Sequence, residues 1–132
     1  MEANKAEEAA AKKKSGKYNC AQAIGSTFCA EAGVSEEDMQ HIAQAFGVGM
    51  GTLEGTCGAL IGAGLVLGMR NRDRNTTVRQ MREIMHAFRD RNGTVTCKEL
   101  KGVGGGCPLR QCEDCVRDAA EFLIEQLEKE KG

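Results

Sequence analysis

Residues 57–69 read CGALIGAGLVLGM, an uncharged run with small or apolar residues all round a helical projection. A helix apolar on every side is a buried one, so the run predicts a central helix for the rest of the chain to pack on. It is too short to cross a bilayer, which takes about 20 residues. Thr56 stands where its N-cap belongs. Gly58, Gly62, Gly64 and Gly68 each cost about 1 kcal/mol against alanine in a helix interior, so packing must offset them. Their i, i+4 pairs let another backbone or a cofactor come close. Plain helix–helix contact is the simplest use of such a face, and a homodimer through this Gly-rich helix is the other.

Upstream lies a glycine cluster, Gly47, Gly49, Gly51 and Gly55. Before it, Ser35 opens a helix expected to run to about Phe46, with Glu36, Glu37 and Asp38 in its first turn, where the helix dipole favours acids. Tyr18 to Ala32 carries Cys20, Ile24 and Phe28 on one helical face, and Gly33 sits where a C-cap belongs. Residues 4–14 (NKAEEAAAKKK) are strong helix formers without an apolar stripe. They are expected as a solvated, frayed helix or arm within residues 1–16. Downstream, Thr76 to Asn92 is amphipathic, with Val78, Met81, Ile84, Met85 and Phe88 on one face and Asn92-Gly93 as its stop. Thr96 and Glu99 form a T-x-x-E capping box around Cys97. A last helix from about Gln111 to Lys129 turns Cys112, Cys115, Ala119, Phe122, Leu123 and Leu127 inward. No segment alternates with period two long enough for a strand. The fold class is therefore all-α: residues 17–132 form a single-domain bundle of five or six helices around the apolar helix at about 57–69.

Composition narrows the function. The 132 residues carry 18 Lys and Arg against 19 Asp and Glu, a net charge of −1. No global basic field for nucleic acid exists, and no membrane span is visible. The N-terminal stretch has no apolar core of a signal peptide, so a cytoplasmic, reducing setting is expected. There a cysteine-rich domain points to metal binding or thiol chemistry. Seven cysteines, an odd number, cannot all pair within one chain.

Geometry sorts the cysteines. Cys20 and Cys29 lie about 180° apart on one helix, so only Cys20, which shares its face with Ile24 and Phe28, turns inward. Cys57 and Cys97 each follow a threonine at a helix start, where the dipole lowers a thiol pKa. Cys112 and Cys115 form a C-x-x-C whose members can reach one site. There is no βαβ unit for a thioredoxin-like motif and no histidine after Cys115 for haem attachment, so metal or cluster ligation survives. Cys107 completes a C-x4-C-x2-C spacing that also occurs in plant-type ferredoxins. His41 and His86 are isolated, no Ser/His/Asp arrangement suggests a catalytic set, and Met50, Met69, Met81 and Met85 read as packing residues rather than copper ligands.

These pieces together resemble a known family. Asn19-Cys20-Ala21-Gln22-Ala23, Gly55-Thr56-Cys57-Gly58-Ala59-Leu60-Ile61-Gly62, Thr96-Cys97-Lys98-Glu99-Leu100 and Cys115-Val116-Arg117-Asp118-Ala119-Ala120 follow, in order, the motifs of the C_GCAxxG_C_C proteins. The chain has CGALIG where the family name has GCAxxG, and Cys29, Cys107 and Cys112 stand outside the pattern. The cluster-binding part of split-Soret cytochromes c is a more distant likeness. The resemblance implies a small helical protein of anaerobes with redox activity and no assigned reaction. Its cysteines map onto Cys20, Cys57, Cys97 and Cys115. Four thiolates would suit an iron–sulfur cluster that serves electron transfer with a redox partner protein, with Cys107 or Cys112 as substitute ligands. Two other expectations use the same cysteines. One is a thiol–disulfide redox protein or sensor, with Cys57 and Cys97 reactive and Cys112/Cys115 resolving. The other is a structural zinc site in an interaction domain.

Overall fold

In the computed structural model, which describes residues 4–102 and 110–131, the apolar run becomes the helix Gly58–Asn71 at the centre of an all-α bundle. In chain order the α-helices are α1 (Asn4–Lys14), α2 (Cys20–Thr27), α3 (Cys29–Ala32), α4 (Glu36–Ile42), α5 (Gly58–Asn71), α6 (Arg74–Asn92), α7 (Cys97–Lys101) and α8 (Cys112–Lys131). A 3-10 turn, Gln44–Phe46, and a wide turn, Gly49–Leu53, join α4 to α5. Among the described residues there is no strand, only one antiparallel bridge between Thr56 and Thr96.

The glycines of α5 explain its company. A Cβ on Gly62 would stand 2.9 Å from the Ala21 carbonyl oxygen and 3.0 Å from Ile24 Cβ, and one on Gly58 would stand 2.7 Å from the Phe46 carbonyl oxygen. α2 therefore lies directly on the Gly58/Gly62 face, and this contact within the chain fills it. Gly64 meets only Met81 Sδ, at 3.4 Å, and Gly68 has nothing within 4 Å. Leu60, Ala63, Val66 and Leu67 of α5 are fully buried with Ile24, Phe28, Ile84, Phe88, Leu123 and Leu127.

Several local expectations shift. α5 begins one residue late: Cys57 occupies the N-cap and Thr56 pairs with Thr96 instead of capping. The segment 18–32 breaks at Phe28 (φ −107°, ψ 21°) into α2 and α3. The helix opened by Ser35 ends at Ile42, because the Asn19 side-chain amide donates to the carbonyls of Ala43 and Gln44 at 3.3 and 3.1 Å and holds a tighter turn there. On α6, Ile84 and Phe88 are buried, whereas Val78 is 47% exposed. The N-terminal segment is not a solvated arm between residues 4 and 14. Ala6, Ala9 and Ala10 are buried, and the helix packs on α8. A stripe of alanines at i, i+3, i+4 is narrow enough to escape a search for large apolar residues. Lys5 pairs with Glu31 at 3.1 Å and Arg117 with Glu7 at 2.8 Å, which ties the helix down at its rim. No helix among the described residues is long and apolar enough to cross a membrane.

Two glycine substitutions in the same helix should act in opposite directions. Gly62→Ala must push α2 away and is expected to destabilise the fold by about 1–3 kcal/mol. Gly68→Ala meets no neighbour and should add up to about 1 kcal/mol through helix propensity alone. Urea unfolding midpoints of the two variants, measured beside the parent, check both.

Candidate functional site

Two short segments bring the first pair of cysteines together. At the Thr56–Thr96 bridge, the Cys57 amide donates to the Val95 carbonyl at 2.8 Å and the Cys97 amide donates to the Gly55 carbonyl at 3.0 Å. Each cysteine follows the bridging threonine and stands where its chain turns into a helix. Cys57 is the N-cap of α5 and Cys97 the first residue of α7. The wide turn closes over them. A Cβ on Gly49 would lie 2.8 Å from Cys97 Cβ, so only glycine admits this approach, and Gly49 itself has φ +57°.

Asn19 sets the third cysteine. Its side-chain oxygen accepts from the Gln22 amide at 2.7 Å, while Gln22 Oε1 accepts from the Asn19 amide at 2.9 Å, a complete capping box. Cys20 is thereby the first residue of α2. Cys112 opens α8, and Cys115 follows one turn on. The expected box at Thr96 does not form. Thr96 makes no capping bond. Glu99 instead accepts from the Thr94 hydroxyl at 2.6 Å, and the Thr94 oxygen accepts from the Thr96 amide at 3.2 Å.

The result is one cleft lined by Cys20, Cys57, Cys97, Cys112 and Cys115, all in the first turn or at the cap of α2, α5, α7 or α8. Its volume is about 20 Å³, room for roughly one water molecule. Val48 and Leu100 add apolar wall, and Lys13, Lys101 and Arg110 bring positive charge to it. Cys29 is half-buried and stands elsewhere, and Cys107 lies outside the described residues. His41 and His86 are exposed and do not reach the cleft. A larger surface depression, about 490 Å³ among Gln22, Glu36, Glu37, Gln40, His41 and Gln44, contains no cysteine.

Contacts between the thiols run from Cys112 to Cys20, from Cys20 to Cys57, and from Cys57 to Cys115. Among the described residues, no three His, Cys, Asp or Glu side chains stand together at the spacing that grips a metal ion. The helix starts lead one to expect a low thiol pKa at Cys57 and Cys97, and the direction is the reverse. Contact with the Cys115 thiol and burial push Cys57 up to about 12, against an opposing contact from Cys20. Burial raises Cys97, with Lys101 acting the other way. The Cys112 contact lowers Cys20, but the Cys57 thiol and burial outweigh it and leave Cys20 at about 12. Cys112 is raised by its contact with Cys20 and by burial.

Sequence reasoning missed how Arg110 is held. Its Nε and Nη2 donate to the two oxygens of Asp118, both at 3.1 Å. Asp118 is 2% exposed and also accepts from Arg91 Nη1 at 2.9 Å and Asn92 Nδ2 at 3.3 Å. The available signal was an aspartate three residues after Cys115, on a face that otherwise reads apolar.

An all-α bundle that gathers five thiols at helix starts is a cysteine-site protein of the kind its sequence motifs suggest. A model of the family described as "Putative redox-active protein (C_GCAxxG_C_C)" matches residues 18–126, and the chain belongs to that family. No curated protein and no solved structure matches it.

Capping substitutions separate stability from the site. Ser35 caps α4 by accepting from the Asp38 amide at 3.0 Å, away from the cleft. Ser35→Ala and Asn19→Ala should each cost about 0.5–2 kcal/mol of stability. Only Asn19→Ala should also speed labelling of Cys20 by a thiol reagent, read by mass spectrometry of the digested protein.

Proposed function

We propose that the five-cysteine cleft is a redox centre that holds an iron–sulfur cluster through Cys20, Cys57, Cys97 and Cys115 and exchanges electrons with a partner protein. The observation that carries this reading is the convergence of thiols from α2, α5, α7 and α8 on one cleft. Four or more soft sulfur donors suit iron–sulfur clusters and all-thiolate zinc alike, so the donor set fits. The cleft as it stands has a volume of about 20 Å³, and a group larger than one ion requires its walls to spread. Val48, just before the turn over the cleft, is a half-exposed part of those walls.

When bound, such a cluster supplies electron transfer at a potential set by its type, its charge, hydrogen bonds to sulfur and exposure to water. The chain's own residues account for two of those controls. Lys13, Lys101 and Arg110 offset negative charge on thiolates, and the helix starts add partial positive charge. Leu100 and Val48 limit water. One observation favours a second reading, a thiol–disulfide protein: the unbroken row of contacts Cys112–Cys20–Cys57–Cys115.

Protein purified without oxygen should contain iron and acid-labile sulfide in equal amounts and show a broad visible charge-transfer band. Cys57→Ser should lose more than half of the iron, and Cys29→Ser should keep it. Zinc without colour, or no metal with all thiols titratable, overturns the cluster reading.

A further inference from the structure

Gly58 and Gly62 are filled by α2, but the other two glycines of α5 are not. A Cβ on Gly64 would meet only Met81 Sδ, at 3.4 Å, and one on Gly68 would meet nothing within 4 Å. This leaves a trough of about 400 Å³ on the surface of the α5–α6 pair, lined by Met50, Ile61, Gly64, Leu65, Met81 and Met85. We propose that the trough is a docking surface for an amphipathic helix of an acidic partner protein: its apolar side chains enter beside Gly64, and its carboxylates meet Arg74, Arg82 and Arg89. The inference rests on the redox reading only in making that partner one that exchanges electrons with the cysteine cleft.

Three observations carry it. First, the lining is that of a protein contact. Of the described side chains in it, only Thr56 carries an oxygen or nitrogen, so no convergent polar groups orient a small molecule there. Methionine suits a surface that adapts to a partner helix. Met81 and Met85 are half-buried, and Met50 and Val78, the latter one turn before Met81, are 48% and 47% exposed. Second, the rim carries one sign of charge. Arg74 and Arg82 stand four residues either side of Val78, and Arg89 stands four beyond Met85, which puts all three on the Val78–Met85 side of α6. All three are exposed. The acids in and just before α6 turn away or are engaged. Glu83 pairs with Lys129 of α8 at 3.6 Å, Asp90 lies about 180° from Met81 around the helix, and Asp73 accepts from the Thr76 amide at 2.9 Å as the N-cap. Glu54, which ends the neighbouring turn, is set against the three arginines. A second copy of this chain would bring the same arginines to the face, so charge selects an acidic partner over a homodimer. Third, the trough adjoins the cysteine cleft. Met50 belongs to the turn Gly49–Leu53, and a Cβ on Gly49 of that turn would stand 2.8 Å from Cys97 Cβ. Thr56, also in the lining, pairs with Thr96 directly before Cys57 and Cys97. A helix seated in the trough therefore touches the segments that hold both cysteines.

The two parts of the surface do different work. Burial of apolar side chains in the trough supplies affinity, and the arginines supply orientation and encounter rate. Salt screens the exposed charge pairs and leaves the apolar contact in place. Binding should therefore weaken with salt without vanishing.

The test uses the full chain as purified without oxygen and a fluorescent synthetic peptide of about five helical turns, with leucines along one stripe and glutamates on both flanks. Fluorescence anisotropy reads its affinity. A benzophenone at the centre of the leucine stripe reads its place, and after irradiation the crosslinks should fall on Met50, Met81 or Met85. Gly64→Leu fills the trough where only Met81 Sδ is near and improves helix propensity, so it should fold. Gly64→Leu should bind the peptide about tenfold more weakly or worse, as should Arg82→Glu combined with Arg89→Glu. Arg79→Glu, on the far side of α6, should bind within about twofold of the parent. Where far-UV circular dichroism shows Gly64→Leu misfolded, Met85→Glu takes its place with the same expectation. No saturable binding, crosslinks elsewhere, or unchanged affinity in the trough variant overturns the proposal. So does a dimer of the chain that Gly64→Leu converts to monomer, read by light scattering, or a single-stranded oligonucleotide that displaces the peptide. Iron is measured on the same preparation. Peptide binding without iron sustains the docking surface and sinks the cluster, and iron without peptide binding sinks the docking surface alone.

Discussion

The site depends on the bridge between Thr56 and Thr96. Two backbone hydrogen bonds, one from each following cysteine, clamp the entries of α5 and α7 side by side. Without that clamp, Cys57 and Cys97 are 40 positions apart on elements that share no long packing face. Each such bond contributes about 1 kcal/mol net, too little to fold a segment alone. The bridge works because α5 is already fixed in the core, so closing it orders only the short segment from Gly93 to Cys97. The turn 49–53 then seals the arrangement, with Gly49 fitted against Cys97 where no side chain has room.

Close backbone approach does the same for the other half of the site. α2 can bring Cys20 to the cleft only because Gly58 and Gly62 let it lie against α5. This contact settles the use of the i, i+4 glycines in the first turns of that helix. The cost of glycine in a helix interior is offset by packing that positions Cys20 Cβ 3.2 Å from where a Gly58 Cβ would be.

Much of this was legible in residues 57–69, because an all-round apolar helix with small residues has few places to go but the centre. The cysteine set was legible because helical phase turned Cys20 inward and Cys29 away. What escaped were features with no periodic signal. A one-pair β-bridge has no alternation to detect. An alanine face such as Ala6, Ala9 and Ala10 carries too little hydrophobicity to stand out beside lysines. Partner choice within Cys112-x-x-Cys115 depends on which neighbours arrive from α2 and α5, and local spacing holds no record of that. Asp118 falls within a sequence motif, yet its role as the shared acceptor of Arg110, Arg91 and Asn92 depends on the tertiary placement of α6 beside α8.

The thiol pKa values show which force governs the site in its metal-free thiol form. A helix start favours an anion by about 0.3–1 kcal/mol, reaching about 2 kcal/mol when partly buried. The rise of Cys57 from 9.0 to about 12 corresponds to roughly 4 kcal/mol in the opposite direction. Burial and thiol–thiol contact therefore win at Cys57, and Cys20, Cys97 and Cys112 are raised in the same direction. A ligand that removes their protons must supply the missing free energy by bonding to sulfur, as metals do when they bind thiolates. The helix starts and the cations Lys13, Lys101 and Arg110 then act on an anionic site instead of a neutral one, where their contribution is largest. The same residues thus make a poor set of isolated nucleophiles.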